Sequence, residues 1–403
     1  MTMSNVNADP LAGINVLEVS QYIAGPFAGQ QLADAGANVI KIERPDGGDP
    51  MRNYASGKAP LYGANFCAFN RNKRSVTLDL QSAEGAEAFR ALAERSDVVL
   101  ENFRPGVMDR LGIGYEALRQ RNPRLIYCSM AGFAADGPNA NRPAFDTVGQ
   151  ALSGLLYLLT DPEKPRVRGP TLSDQITGLF AANSILTALV ERARTGVGRR
   201  IDLTMMDATM SCIPDAFAFY TDSGIEWDSE FRAAMSHSLV LGCANGELIA
   251  IHMAGPERMW IRFVETIGKK ELAVDPRFTP REVRIRNWSA LMDELRPVFA
   301  SRSRSEWMER LVAGDVPAAE VRRISEVLQD PGVVHAQMFE VVEHPVAGPI
   351  TMMRRAARFD GKRGAQQRPP ALLGEHTQEV LAEIGFSADG HQTSKNSGAS
   401  GQR

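Results

Sequence analysis

Short β-branched runs alternate with amphipathic stretches through the first hundred residues, and this rhythm constrains the fold more than any other feature of the chain. Residues 14–19, 38–43, 75–80 and 97–100 read as strands, with residues 26–35 and 83–94 as helices between them. A strand, a crossing helix and a second strand pack stably only with the strands parallel, so a parallel sheet covered by helices is expected. A further strand at 125–129 leads to helices at 145–159 and 173–193, and 200–204 resumes an extended pattern.

The expected fold class is therefore α/β: a large, doubly wound, Rossmann-like domain plus a smaller α+β domain. The length of 403 residues suits two domains better than one. Residues 1–200 form the first part of the large domain and 201–226 a linker. Residues 227–325 form the small domain, with a hairpin around Ala244-Asn245-Gly246-Glu247 and charged helices at 257–267, 288–300 and 304–313. Residues 326–388 return to complete the large domain, with strands within 339–359 and a closing helix at 377–384. Residues 389–403, rich in Ser, Gly, Asn and Gln, carry too little apolar surface to order themselves.

Composition narrows the function. A net charge of -3 gives no basic excess for nucleic acid or an anionic membrane. The opening MTMSNVNADP has neither the basic nor the apolar region of a secretory signal, and no spanning apolar run occurs, so a cytoplasmic location is expected. Cys67, Cys128, Cys212 and Cys243 are far apart and form no CxxC pair, which argues for reduced thiols and against a zinc knuckle. Neither GxGxxG nor GxxxxGK[ST] occurs, so NAD and ATP lose their usual markers.

Three segments could carry chemistry. The turn Tyr22-Ile23-Ala24-Gly25-Pro26 joins the first strand to a helix with Pro at its expected first position, leaving backbone N–H groups free at the strand end. Basic residues recur near strand ends: Arg44, the cluster Arg71-Asn72-Lys73-Arg74, then Arg104 and Arg110; together they suit a polyphosphorylated ligand, and singly they read as solvated surface charge. Asp174 follows the Gly169-Pro170 loop and opens a long apolar helix, where the positive helix end favours its ionisation. An ionised carboxylate there is either a helix cap or a nucleophile.

The strings Leu11-Ala12-Gly13-Ile14, Leu32-Ala33-Asp34-Ala35-Gly36-Ala37, Ile42-Glu43-Arg44-Pro45, Asn70-Arg71-Asn72-Lys73-Arg74-Ser75, Glu101-Asn102-Phe103-Arg104-Pro105-Gly106, Ala144-Phe145-Asp146 and Leu373-Gly374-Glu375-His376-Thr377 follow one another in a specific order. That series, over about residues 11 to 386, resembles the class III coenzyme A transferases of the CaiB/BaiF type. The resemblance implies that Asp174 is the nucleophile. It also implies that CoA is contacted by Ile23, Ala24, Arg44, Arg71, Lys73, Arg74, Asn102, Phe103, Arg104 and Arg110, with Ala144, Phe145 and Asp146 flanking the thioester. Acyl-CoA and a small carboxylic acid would be the substrates, an aspartyl anhydride and an aspartyl-CoA thioester the intermediates. No metal or tightly bound cofactor is implied, and the subunits would interlock as a homodimer. The loop from Gly132 to Gly137 is a candidate source of oxyanion-stabilising N–H groups.

Rival readings leave different traces. A racemase of the same superfamily needs a His and Asp pair, yet the first histidine is His237, and Phe145 precedes Asp146 where a histidine would stand. Intramolecular CoA transfer within one dicarboxylate uses the same Asp174, and a non-catalytic CoA-binding regulator would bind without turnover. The small-domain entry Ala233-Ala234-Met235-Ser236-His237-Ser238-Leu239 departs from the Gly-Asn and His-Pro string of many members of the resembled family, and the stretch Met253-Ala254-Gly255-Pro256 differs from the glycine loops of its oxalate-specific members. A short dicarboxylate such as succinate is expected instead. Arg232, His252 and Met253 are candidates for the acyl pocket or for ordinary packing, and His344 and His376 for structure.

Overall fold

The computed structural model describes residues 9–54, 57–253, 256–364 and 368–387. The disordered tail expected at 389–403 lies outside these residues, as do Ala254 and Gly255. The chain divides into two compact units, one within Met1–Leu156, Gly169–Ile213 and Ala336–Arg403, the other within Tyr157–Arg168 and Pro214–His335.

In the first unit, β1 (Asn15–Val19), β2 (Asn38–Glu43), β3 (Lys73–Thr77), β4 (Val98–Glu101), β5 (Ile126–Ala131) and β6 (Arg200–Thr204) build a six-stranded sheet in the order β3-β2-β1-β4-β5-β6. Every neighbouring pair is parallel. The helices that matter for the site are α1 (Ala24–Asp34), α2 (Ala83–Glu94), α3 (Tyr115–Arg121), α4 (Asp146–Leu152) and α5 (Leu172–Thr195).

The period-two alternation of the strands sorts the core onto both faces of the sheet. Leu17, Val19, Ile40, Ile42 and Val76 pack with Phe89 of α2, Leu118 of α3 and Leu381 of the closing helix Thr377–Glu383. Val16, Val39, Val98 and Ile126 face the other way, onto Leu32 of α1 and Ala181 and Ile185 of α5. Helices on both faces and a strand order that reverses between β1 and β4 define a doubly wound sheet. In such a sheet the crevice for a ligand opens beyond the carboxyl ends of the strands at that reversal.

Several expected boundaries move. α1 begins at Ala24, so Pro26 occupies its third position rather than its first; the first turn still needs no N–H there. The helix expected over 145–159 is two, α4 and Leu155–Leu159, broken at Gly154, whose φ of 88° a helix cannot continue through. Residues 201–226, expected as a linker, carry most of β6 and two helices, Met205–Met210 and Pro214–Ser223. The return segment forms one antiparallel hairpin, Phe339–His344 with Gly348–Met353, ending six residues short of the expected 359.

The second unit is α+β. Strands Ser238–Gly242 and Leu248–His252 pair antiparallel, the second also with Ala318–Val321. Phe263, Leu291, Phe299 and Trp307, from helices Glu257–Thr266, Trp288–Phe299 and Arg304–Ala313, close its core together with Met253. Met253 is thus core packing here. His252 and Arg232 are exposed, and His252 Nδ1 lies 3.2 Å from Ser238 Oγ. No helix among the described residues is long and apolar enough to cross a membrane.

Candidate active site at the strand-order reversal

A cavity of about 340 Å³ opens at the β1/β4 reversal, and Asp174 is in its wall. Around it stand Tyr22, Ala24, Asn102, Phe103, Arg104, Gly132, Phe133, Arg142, Ala144 and Phe145. The chain builds this place from four elements.

The β1–α1 turn comes first. Tyr22 has φ of 65°, a left-handed conformation that an aromatic residue adopts only when held there. Asp49 holds it: Oδ1 accepts from Tyr22 N at 3.2 Å and from Met51 N at 3.0 Å. Asp49 is in turn fixed by Lys41, whose Nζ lies 3.0 Å from Asp49 Oδ2 and 3.0 Å from Glu18 Oε1 and donates to Ser20 O at 2.8 Å. Glu18 also binds Lys73 through Oε2 at 2.8 Å, in a space that a side chain at Gly29 would fill, its Cβ falling 1.9 Å from that oxygen. Second, Asn102 at the end of β4 ties the two loops together, accepting from Gln21 N at 2.9 Å and donating to Gln21 O at 2.7 Å.

Third, α5 carries Asp174 in its first turn. The helix lies close to α1 because Gly178 has no side chain: a Cβ there would stand 2.7 Å from Ala24 O. Fourth, α4 begins at Asp146, whose Oδ1 accepts from Asp174 N at 3.2 Å while its Oδ2 accepts from Gln150 Nε2 at 2.7 Å. Asp146 thus caps α5 in the place where Asp174 was the candidate cap.

Electrostatics at Asp174 run opposite to the expectation from the helix end alone. Burial and then the neighbouring Asp146 carboxylate push its pKa up to about 7. At neutral pH the group is poised between an acid and a basic, reactive carboxylate. Replacing Asp146 with Asn removes the like charge while keeping an oxygen for Asp174 N–H. Gln150 Oε1, buried without a hydrogen bond, can accept from the new amide after a flip of the Gln150 side chain. If only ionised Asp174 reacts, the rate rises with pH through about 7 in the wild type. In Asp146→Asn that rise is expected at lower pH; an unmoved pH–rate profile would show that Asp146 does not set the ionisation.

A model of CoA-transferase family III matches residues 11–377. The chain belongs to that family. It is 33% identical over 401 residues to succinate–glutarate CoA-transferase of Agrobacterium fabrum, covering 93% of this chain and 96% of the relative. It is 34% identical over 396 residues to succinyl-CoA:mesaconate CoA-transferase of Haloarcula hispanica, with 93% and 96% covered. The crystal structure of a CaiB/BaiF family protein from Brucella suis superposes with a TM-score of 0.83 at 32% identity, over 94% of this chain and all of that one. The protein is therefore an enzyme that transfers CoA, with a mixed α/β fold shared with the CaiB/BaiF structures.

Of the residues expected to serve this CoA transferase, the cavity brings together Ala24, Asn102, Phe103, Arg104, Ala144, Phe145 and Asp174. Ile23 turns instead into a small core with Met51 and Phe66. Arg44 and Arg110 are exposed at the ends of β2 and of the short helix Val107–Arg110.

Three of the expected basic residues lie away from this cavity and are engaged by other groups. Arg71 is buried and grips Asp34, its Nε donating to Oδ1 at 3.1 Å and Nη2 to Oδ2. Lys73 is buried between Glu18, Pro26 O at 2.7 Å and Asn70 Oδ1 at 3.0 Å. Arg74 reaches Glu379 at 2.8 Å and Glu383 at 2.7 Å on the closing helix. The reason is strand direction. In a parallel sheet residues 71–74 enter β3 at its amino edge, opposite the carboxyl edge where the cavity lies.

Gly132 and Phe133 line the cavity, but Gly137 N bonds to Ala134 O at 3.1 Å and is no free donor. Sequence reasoning missed Tyr22 as a wall residue, packed edge-on against Phe145 at 5.5 Å between ring centroids, and missed Arg142. His344 and His376 are structural: His344 Nε2 lies 3.0 Å from Pro370 O, and His376 Nδ1 accepts from Ser75 N at 3.3 Å.

Proposed function

We propose that the enzyme moves CoA from succinyl-CoA to a second carboxylic acid through covalent intermediates on Asp174. The observation that carries this reading is Asp174 itself: a carboxylate in the wall of the crevice cavity, raised to about 7 by burial and by Asp146. Its oxygen attacks the thioester carbon, forming an aspartyl–succinyl anhydride and releasing CoA thiolate. The thiolate attacks the aspartyl carbonyl, giving an aspartyl-CoA thioester and free succinate. An acceptor carboxylate then attacks that thioester, and the returning thiolate attacks the acceptor's acyl carbon, freeing Asp174. Each step exchanges one oxygen–acyl or sulfur–acyl bond for another, so neither water nor a redox partner enters.

CoA is held at the turn around Ala24 and by Asn102, Phe103 and Arg104, with Phe145 against the thioester. Succinyl-CoA as donor is supported by the names of the similar transferases from Agrobacterium fabrum and Haloarcula hispanica. The proposal includes a cytoplasmic, interlocked homodimer with no tightly bound cofactor. A cavity of about 880 Å³ elsewhere in the first unit, walled by Phe27, Phe69, Leu179, Ile350 and Met352, supports an apolar face that a second copy covers.

The test is to incubate the enzyme with succinyl-CoA and a panel of mono- and dicarboxylates and to follow acyl-CoA species by liquid chromatography and mass spectrometry. A new acyl-CoA matching an added acid is expected. Release of free CoA without any new thioester would overturn the reading.

A further inference from the structure

The wall of the Asp174 cavity contains two cationic side chains, Arg104 and Arg142. They are not equivalent. Arg104 also lines a neighbouring cavity of about 120 Å³, whose wall includes Glu101, Asp109, Asp202 and Arg200, so it is shared between two cavities. Arg142 is not part of that neighbouring cavity.

Arg142 is also held in advance. Its backbone N bonds to Asn139 O at 2.9 Å, its Nη1 donates to Asn139 Oδ1 at 3.1 Å, and its guanidinium lies 5.6 Å from the centroid of the Phe133 ring. It forms no ion pair with any described residue, which leaves N–H donors of the guanidinium fork unused. The turn that carries it runs through Pro143, Ala144 and Phe145 directly into Asp146, the residue that bonds the backbone of Asp174.

A dicarboxylic substrate brings two charges to this place. One carboxyl group is the reacting end at Asp174. The other enters a cavity whose wall already holds Asp174, with the buried Asp146 carboxylate directly behind it, where burial without a cation is costly. An arginine with a free fork binds a carboxylate through two parallel hydrogen bonds, which no methyl end can exploit.

We propose that Arg142 is the specificity-determining residue that receives the non-reacting carboxylate of a dicarboxylic acyl group. The proposal rests on the transfer chemistry at Asp174 proposed above. Arg142 touches the far end of the substrate and takes no part in bond exchange.

The experiment is a one-pot competition. Full-length wild type, Arg142→Gln and Arg142→Lys are each given succinyl-CoA with equal glutarate and valerate, acids of equal carbon number that differ in one terminal carboxylate. Both acceptors draw on the same aspartyl-CoA intermediate, so the ratio of glutaryl-CoA to valeryl-CoA cancels any effect on donor binding, CoA affinity or the fraction of folded enzyme. A fall in that ratio of about 10- to 100-fold is expected for Arg142→Gln, with Arg142→Lys between it and wild type. An unchanged ratio with a lower total rate would overturn the assignment and make Arg142 a CoA contact. If wild type transfers CoA to other acids of the panel but not to glutarate, this inference falls while the transferase reading stands; if it transfers CoA to no acid, the transferase reading fails first and this inference with it.

Discussion

Asp174→Asn is expected to lose CoA transfer by at least about 10⁴-fold in kcat/KM, the scale on which enzymes lose activity when a covalent nucleophile is removed. An amide cannot form the anhydride, and no second carboxylate in the cavity replaces it: Asp146 is committed to Asp174 N and Gln150 Nε2. The fold should survive. The bond to Asp146 uses the Asp174 backbone, and Asn is isosteric.

Stability should move the other way from activity. A carboxyl group whose folded pKa is raised disfavours the folded state once pH exceeds its unfolded value. Removing it therefore raises the melting temperature at pH 8, where the buried charge beside Asp146 is otherwise present. Loss of transfer together with a higher melting temperature would mark a strained functional residue; loss of both activity and fold would make Asp174 structural.

The second large effect is expected away from the reacting atoms, at Lys41. This ammonium is 1% exposed and joins Glu18 and Asp49, each at 3.0 Å. Those carboxylates hold its pKa above the ordinary lysine value against the opposing effect of burial. Lys41→Met leaves Glu18 with Lys73 alone and Asp49 without a cation. Breaking a buried pair from one side costs about 3–5 kcal/mol, a large share of the roughly 5–15 kcal/mol that keeps a domain folded.

A second consequence follows for the site, because Asp49 is the acceptor that keeps Tyr22 at positive φ. Urea unfolding should show the lost stability. At a temperature where the variant is still folded, the Michaelis constant for succinyl-CoA should rise, since the α1 turn no longer has its anchor. Wild-type stability in Lys41→Met would mean that the buried cluster is not what holds the turn.

The alternation of strand and helix was enough to read the doubly wound sheet, since burial on both faces leaves continuous apolar runs such as Val98, Val99 and Leu100 between amphipathic helices. Arg104 stands out in the sequence as a cation after a strand, while Asn102 and Phe103 are marked only by the family resemblance; all three follow β4 and stand in the cavity wall at the carboxyl edge. The same reasoning misplaced Arg71, Lys73 and Arg74, which precede β3: strand order in sequence carries direction, and charge near a strand end does not say which end faces the ligand. Lys73 shows a further limit, because burial brings its pKa down to about 8 only through folding contacts that the sequence does not display.

Asp174 was found by family resemblance and not by physics, since a carboxylate in a first helical turn ordinarily reads as a cap. The cap is Asp146, 28 residues away in the chain, and burial together with that neighbour's like charge reverses the expected ionisation of Asp174. Tyr22 and Arg142 gave no signal: nothing local marks a positive φ at a tyrosine, and one arginine in a polar turn looks like any solvated charge.

The most direct measurement is to mix the enzyme with succinyl-CoA without acceptor, quench, digest, and search the peptide containing Asp174 by mass spectrometry. The account predicts a CoA adduct on Asp174, lost on treatment with hydroxylamine or with an acceptor acid before the quench. An unmodified Asp174 peptide from enzyme that still transfers CoA would contradict it.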